Sequence, residues 1–140
     1  MAKDRCHILV VDDHEDTARA TARLLEFAGY EVRTASTLAD ARERCEHEDF
    51  DLLICDIGLP DGSGIELLRD IRTRSNVRAI AYSGYGTNQD IEAALTAGFS
   101  AYLIKPVSFA DVLEAIHGLI SQERCFVHSQ ARSSSGVNSN

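Results

Sequence analysis

The chain has 140 residues, of which 44% are hydrophobic, and a formal charge of −8. That length fits one domain able to bury a working core. The charge repels phosphate backbones, and the apolar runs are far shorter than the roughly 20 residues needed to cross a bilayer, so nucleic-acid and membrane partners are not expected. No apolar stretch with a small-residue cleavage site follows Met1, and a cytoplasmic location is expected. Cys6, Cys45, Cys55 and Cys125 are scattered without a CxxC pair. All four therefore read as structural residues in a reducing compartment rather than as a zinc or redox motif.

Along the chain, short apolar or β-branched runs alternate five times with segments of helical periodicity, the pattern of a (βα)5 domain. The predicted strands are His7–Val11, Glu31–Ala35, Leu52–Asp56, Arg78–Tyr82 and Ala101–Ile104. The first and third are nearly continuous apolar runs, which suits central parallel strands covered on both faces. Between them, Ile65, Leu68 and Ile71, then Ile91, Ala94 and Leu95, then Val112, Leu113, Ile116, Leu119 and Ile120 recur at helical spacing. Thr37/Asp40, Ser63/Glu66, Thr87/Asp90 and Ser108/Asp111 have the spacing of capping boxes at helix starts. Gly29 and Gly98, each followed by an aromatic residue, stand where the first and fourth helices should stop. The periodicity ends after Arg124. Residues 1–125 are expected to form the domain and 126–140, rich in Ser and Asn, a disordered polar tail.

In an open parallel α/β sheet, ligands gather beyond the carboxyl ends of the strands. There the sequence places Asp12 and Asp13, Asp56, Ser83, and Lys105 with Pro106. One acid at a strand end is commonly no more than a solvated loop residue. Four strand ends carrying acids, a hydroxyl and an amine form a constellation. Three converging carboxylates call for a hard divalent cation such as Mg²⁺. Lys105 and Ser83 beside them suit the oxygens of a phosphoryl group.

These residues lie in the runs Ile8-Leu9-Val10-Val11-Asp12-Asp13, Leu53-Ile54-Cys55-Asp56-Ile57-Gly58-Leu59-Pro60-Asp61-Gly62-Ser63-Gly64, Tyr82-Ser83-Gly84-Tyr85 and Tyr102-Leu103-Ile104-Lys105-Pro106. In these runs the chain resembles the response-regulator receiver family over about residues 6–122. The resemblance implies a flavodoxin-like doubly wound sheet of strand order 2-1-3-4-5. It implies that Asp56 accepts a phosphoryl group from a histidine kinase or a histidine phosphotransfer protein. It further implies Mg²⁺ held by Asp12, Asp13, Asp56 and the Gly58 carbonyl, with Lys105 neutralising the transferring group. Pro106, after a cis bond, would support Lys105. Ser83 and Tyr102 would form the switch that changes the face of the fourth helix, fifth strand and fifth helix, where a downstream protein target binds. Gly58 and Tyr85 would flank the water route to the aspartyl phosphate, with opposing effects on its lifetime. His14 reads as a solvent-facing first-turn residue outside the site, because Mg²⁺ prefers oxygen.

The implied protein is a phosphoacceptor switch with no separate output enzyme, a monomer or weak dimer. One alternative is a phosphorylation-independent binding scaffold, although every acid and the lysine are kept. An aspartyl phosphatase of the haloacid dehalogenase type would need a second acid where Gly58 stands. The Met1 start and polar tail suit a stand-alone regulator, while the run Ala79-Ile80-Ala81-Tyr82-Ser83-Gly84-Tyr85-Gly86 resembles receivers that form part of a larger hybrid histidine kinase.

Overall fold

The computed structural model describes residues 6–84 and 87–120. Tyr85 and the segment 126–140, for which a role and a disordered tail were expected, lie outside the described residues. Five parallel strands, β1 (His7–Val11), β2 (Glu31–Ala35), β3 (Leu52–Asp56), β6 (Arg78–Ser83) and β7 (Ala101–Ile104), form one sheet. Their order is β2-β1-β3-β6-β7, the expected 2-1-3-4-5 of a flavodoxin-like fold. The predicted strands are found, the fourth extended by one residue to take in Ser83. A small antiparallel hairpin not anticipated from sequence, β4 (Gly58–Leu59) with β5 (Gly62–Ser63), follows β3. The helices are α1 (Glu15–Phe27), α2 (Leu38–His47), α3 (Gly64–Arg72), α4 (Asn88–Ala97) and α5 (Phe109–Ile120).

Because strand side chains alternate between faces, the sheet supports two cores. Even-numbered Ile8, Val10, Leu52, Ile54, Ile80 and Tyr82 pack with Ala18, Ala22 and Leu25 of α1 and Val112 and Ile116 of α5. Odd-numbered Leu9, Val11, Leu53, Cys55, Ala79 and Ala81 meet Leu38, Ala41, Leu67, Leu68, Ile71 and Ala94 of α2, α3 and α4. Each fully buried Leu or Ile contributes about 1.5–3 kcal/mol relative to exposure, so the paired cores dominate the stability of this fold. On α4 the expected face is only partly used: Ala94 is buried and Leu95 is exposed.

The helix ends follow local chemistry. Thr37 accepts from the Asp40 amide, Thr87 from Asp90 and Ser108 from Asp111, as capping boxes require. Ser63 instead accepts from Ile65, one residue earlier than its expected partner Glu66. Asp61 reaches across from the hairpin to accept the Leu38 and Ala39 amides at 2.7 and 3.1 Å, giving α2 a second cap supplied from elsewhere in the chain. Gly29 and Gly98 have φ of 108° and 120°. Beyond them the Tyr30 and Phe99 amides donate back to Leu25 and Ala94, and both aromatic rings are buried. Cys45 and Cys55 are free thiols, whereas Cys6 is disulfide-bonded, a departure from the reduced cysteines expected. Among the described residues no helix is long and apolar enough to cross a membrane.

Candidate functional site

All five strands of the parallel sheet run the same way, so their carboxyl ends share one edge. Asp12 follows β1, Asp56 closes β3, Ser83 closes β6 and Lys105 follows β7. The register sets Val11 beside Cys55 and Asp56 beside Tyr82, so these side chains meet at one depth. Asp12, Asp56 and Ser83 are the buried polar residues among those described, with exposures of 0%, 6% and 0%. Buried carboxylates are costly unless they are paired or coordinate a metal.

Lys105 pairs them. Its Nζ donates to Asp56 Oδ2 at 3.1 Å and to Asp12 Oδ2 at 3.2 Å. Burial pulls the ammonium down, but the two acids outweigh it and raise its pKa. For Asp12, burial pushes the carboxyl up, yet the His14 amide, the Tyr82 hydroxyl and Lys105 together hold it below the usual range. At Asp56 burial wins over Lys105 and the Gly58 amide, which donates to Oδ1 at 3.1 Å, and the carboxyl is raised. Asp13 is exposed beside them. Carboxylate oxygens of Asp12, Asp13 and Asp56 and a ring nitrogen of His14 lie within 4.8 Å of one another. Three carboxylates against one ammonium leave an excess of negative charge, and this oxygen-rich donor set fits a hard dication such as Mg²⁺.

Other expected residues take their places around this centre. Gly58 opens the hairpin and contacts Asp56 through its amide. The Lys105–Pro106 peptide is cis. Tyr102, half-buried on β7, has Ser83 as the polar neighbour of its phenol and packs against the core shared with α4. His14, left out on sequence grounds, is largely exposed, but its Nδ1 lies 3.3 Å from Asp12 and 3.4 Å from Asp13. Gly64 holds the turn close: a Cβ there would stand 2.7 Å from the Asp56 carbonyl oxygen and 2.8 Å from Cys55 Sγ.

Tyr82 was not assigned a role from sequence. Its hydroxyl donates to Asp12 Oδ2 at 2.7 Å, and Lys105 Nζ sits 4.6 Å from its ring centroid. Strand parity carried the signal, because Tyr82 shares the even-numbered face with Val10, Ile54 and Ile80, the face from which Asp12 and Asp56 continue. A groove of about 650 Å³ between α1 and α5 opens beside this residue, lined by Thr21, Leu24, Tyr82, Lys105, Val107 and Phe109.

Comparison with known proteins agrees with the geometry. The family model of the response regulator receiver domain matches residues 8–117. The KDP operon transcriptional regulatory protein KdpE of Escherichia coli (strain K12) is 38% identical over 106 residues, which cover 76% of this chain and 47% of that protein. The chain thus spans about half the length of that relative. A CheY-like receiver domain protein from Methanospirillum hungatei JF-1 superposes with a TM-score of 0.80 at 37% identity, covering 84% of this chain and 95% of that one. A response regulator from Burkholderia pseudomallei, whose structure carries a phosphorylated aspartic acid and a calcium ion, gives 0.75 at 26% identity, covering 94% and 75%.

Proposed function

Because the chain belongs to the response regulator receiver domain family, we propose that it is a phosphorylation switch whose acceptor is Asp56. The observation that carries this is Lys105 Nζ held between Asp12 and Asp56 at the carboxyl edge of the sheet. An Asp56 oxygen attacks the phosphorus of a phosphohistidine on a histidine kinase or phosphotransfer protein. The new O–P bond forms as the P–N bond breaks, and the histidine leaves as imidazole after taking a proton. Lys105, already beside Asp56 Oδ2, turns to an oxygen of the transferring group, where charge stabilisation supplies most of the rate. Asp12, Asp13, Asp56 and the Gly58 carbonyl would hold Mg²⁺, which when bound neutralises phosphoryl oxygens and relieves repulsion among the acids. The phosphorylated aspartate in the Burkholderia pseudomallei relative supports this assignment of chemistry.

Ser83 then draws toward the phosphoryl oxygens, and Tyr102 follows it, altering the face made by α4, β7 and α5. A two-state equilibrium is biased this way because the phosphoryl group contacts one state better than the other. The partner on that face is a protein rather than a nucleic acid, given the charge of −8. The chain works in the cytoplasm, with no separate output enzyme within these residues.

The test is intact mass after incubation with acetyl phosphate and Mg²⁺, native chain against Asp56→Asn. One phosphoryl adduct that requires Mg²⁺ and disappears in Asp56→Asn is the expected result. No adduct under any condition would overturn the reading in favour of a phosphorylation-independent binding module.

A further inference from the structure

The two oxygens of Asp12 are held from different directions. Oδ1 accepts the His14 amide at 3.0 Å, a bond fixed by the turn into α1. Oδ2 accepts the Tyr82 hydroxyl at 2.7 Å and the Lys105 ammonium at 3.2 Å. Of these donors Lys105 is the one shared with Asp56, and it is also the group that a transferring phosphoryl would draw away. When it leaves, Asp12 is held at Oδ1 by the His14 amide and ring and at Oδ2 by the Tyr82 phenol alone.

A purely packing role for Tyr82 would be met equally by phenylalanine, which fills the same space between Ile80 and α1. The hydroxyl is what needs explaining, since a buried polar group is costly unless it is bonded. Here it is bonded to a buried acid that the proposed function makes a cation ligand. An ordinary phenol keeps its proton at neutral pH, so the Tyr82 hydroxyl is a donor to that acid. Its ring also lies under the Lys105 ammonium, within the range at which a cation is attracted by an aromatic face. One side chain therefore touches both Asp12 and Lys105 and is the strand neighbour of Asp56.

We propose that Tyr82 is a positioning residue: its hydroxyl fixes the Asp12 carboxylate for a divalent cation, and its ring seats the Lys105 ammonium between Asp12 and Asp56. Groups that orient a metal's ligands typically change metal affinity by about 10–100-fold when removed. The two parts of the side chain separate by substitution. Tyr82→Phe removes the hydroxyl and keeps the ring, whereas Tyr82→Leu removes both.

This inference rests on the proposed cation site, and the experiment distinguishes the two. Mg²⁺ is titrated into the unphosphorylated full chain and followed by backbone amide NMR at Asp13 and Gly58, for the native protein and both variants, with urea unfolding of each alongside. The expected result is roughly tenfold weaker Mg²⁺ binding in Tyr82→Phe, the lower end of the range for such groups. In acetyl phosphate reactions the same variant should show its loss in the half-saturating Mg²⁺ concentration rather than in the rate at saturation. Tyr82→Leu should lose rate at saturation as well, through Lys105. Equal Mg²⁺ affinity in native and folded Tyr82→Phe protein would overturn the role of the hydroxyl and leave the cation site standing. A lowered urea midpoint with unchanged affinity would likewise reduce Tyr82 to packing. Absence of Mg²⁺ binding by the native chain would overturn the cation site itself, and this inference with it.

Discussion

Every residue of β3 is buried, as are four of five in β1 and five of six in β6, whereas no residue of β7 is fully buried and Ile104 at its end is half exposed. The flanking helices repeat the contrast, since α3 buries Gly64, Leu67, Leu68 and Ile71 while α4 buries Ala94 alone. The fixed charges of the site, Asp12 and Asp56, are mounted on the packed centre. Lys105, the one cation among the described residues that reaches both, comes from the looser edge. Low local packing density marks the segments able to rearrange at small cost, and the centre holds geometry that chemistry needs. A stiff acidic site joined to a loose edge is a physical basis for a switch.

The largest effect that tests this contrast is on stability. Ile54→Ala, in the middle of β3 with no exposed surface, should cost about 2–5 kcal/mol, measured as a fall in the urea midpoint. Ile104→Ala on β7 should stay within about 0.5 kcal/mol, as surface substitutions do. Equal costs at the two positions would remove the distinction between centre and edge.

Much of this arrangement is legible in the sequence, because it rests on local rules. Continuous apolar runs mark β1 and β3, and Ser or Thr with an acid three residues on marks three of the four boxed helix starts. The acids, hydroxyl and lysine fall at strand ends whose common direction follows from the alternating pattern. What escaped depends on contacts across the chain. Asp61 caps α2 from 22 or 23 residues away, and nothing local to either segment announces it. The bond from Tyr82 to Asp12 spans 70 residues and needs the β1, β3 and β6 register to be known. Leu95 fits the periodicity of α4 but stays exposed, since α4 flanks an edge strand and has less surface to cover.

A smaller effect on the packed side is a pH dependence. Cys45, part-buried on α2, has its thiol pushed up to about 11 by burial, with Arg74 opposing and Asp70 adding to it. An unfolded thiol titrates near 9. Between these values the unfolded chain has released a proton that the folded chain keeps, so stability must fall as pH rises. The contribution reaches about 2 kcal/mol near the upper value. Cys45→Ala should therefore show a shallower decline of urea midpoint from about pH 9 to 11 than the native chain. Cys55 is fully buried and shifted further in the same direction, so some decline remains. Identical slopes in the two proteins would mean that Cys45 is as open to solvent as an edge residue.

The smallest stability change, and the most direct probe of how centre and edge communicate, is Tyr102→Phe. Ser83 belongs to the centre, buried at the end of β6, and Tyr102 to the edge, with its phenol beside the Ser83 hydroxyl. Removing the phenol oxygen keeps the ring against the core, so the urea midpoint should move by less than about 1 kcal/mol. Acetyl phosphate should still label Asp56, since the substitution leaves Lys105 paired with Asp56 and Asp12. What should shrink is the change in backbone amide shifts of α4, β7 and α5 on phosphorylation. If those shifts are as large as in the native chain, the signal does not pass through the phenol, and the loose edge responds to Ser83 or Lys105 by another route. If they shrink while labelling persists, the contact between one buried hydroxyl and one half-buried phenol is where a charge change at Asp56 becomes a change of surface.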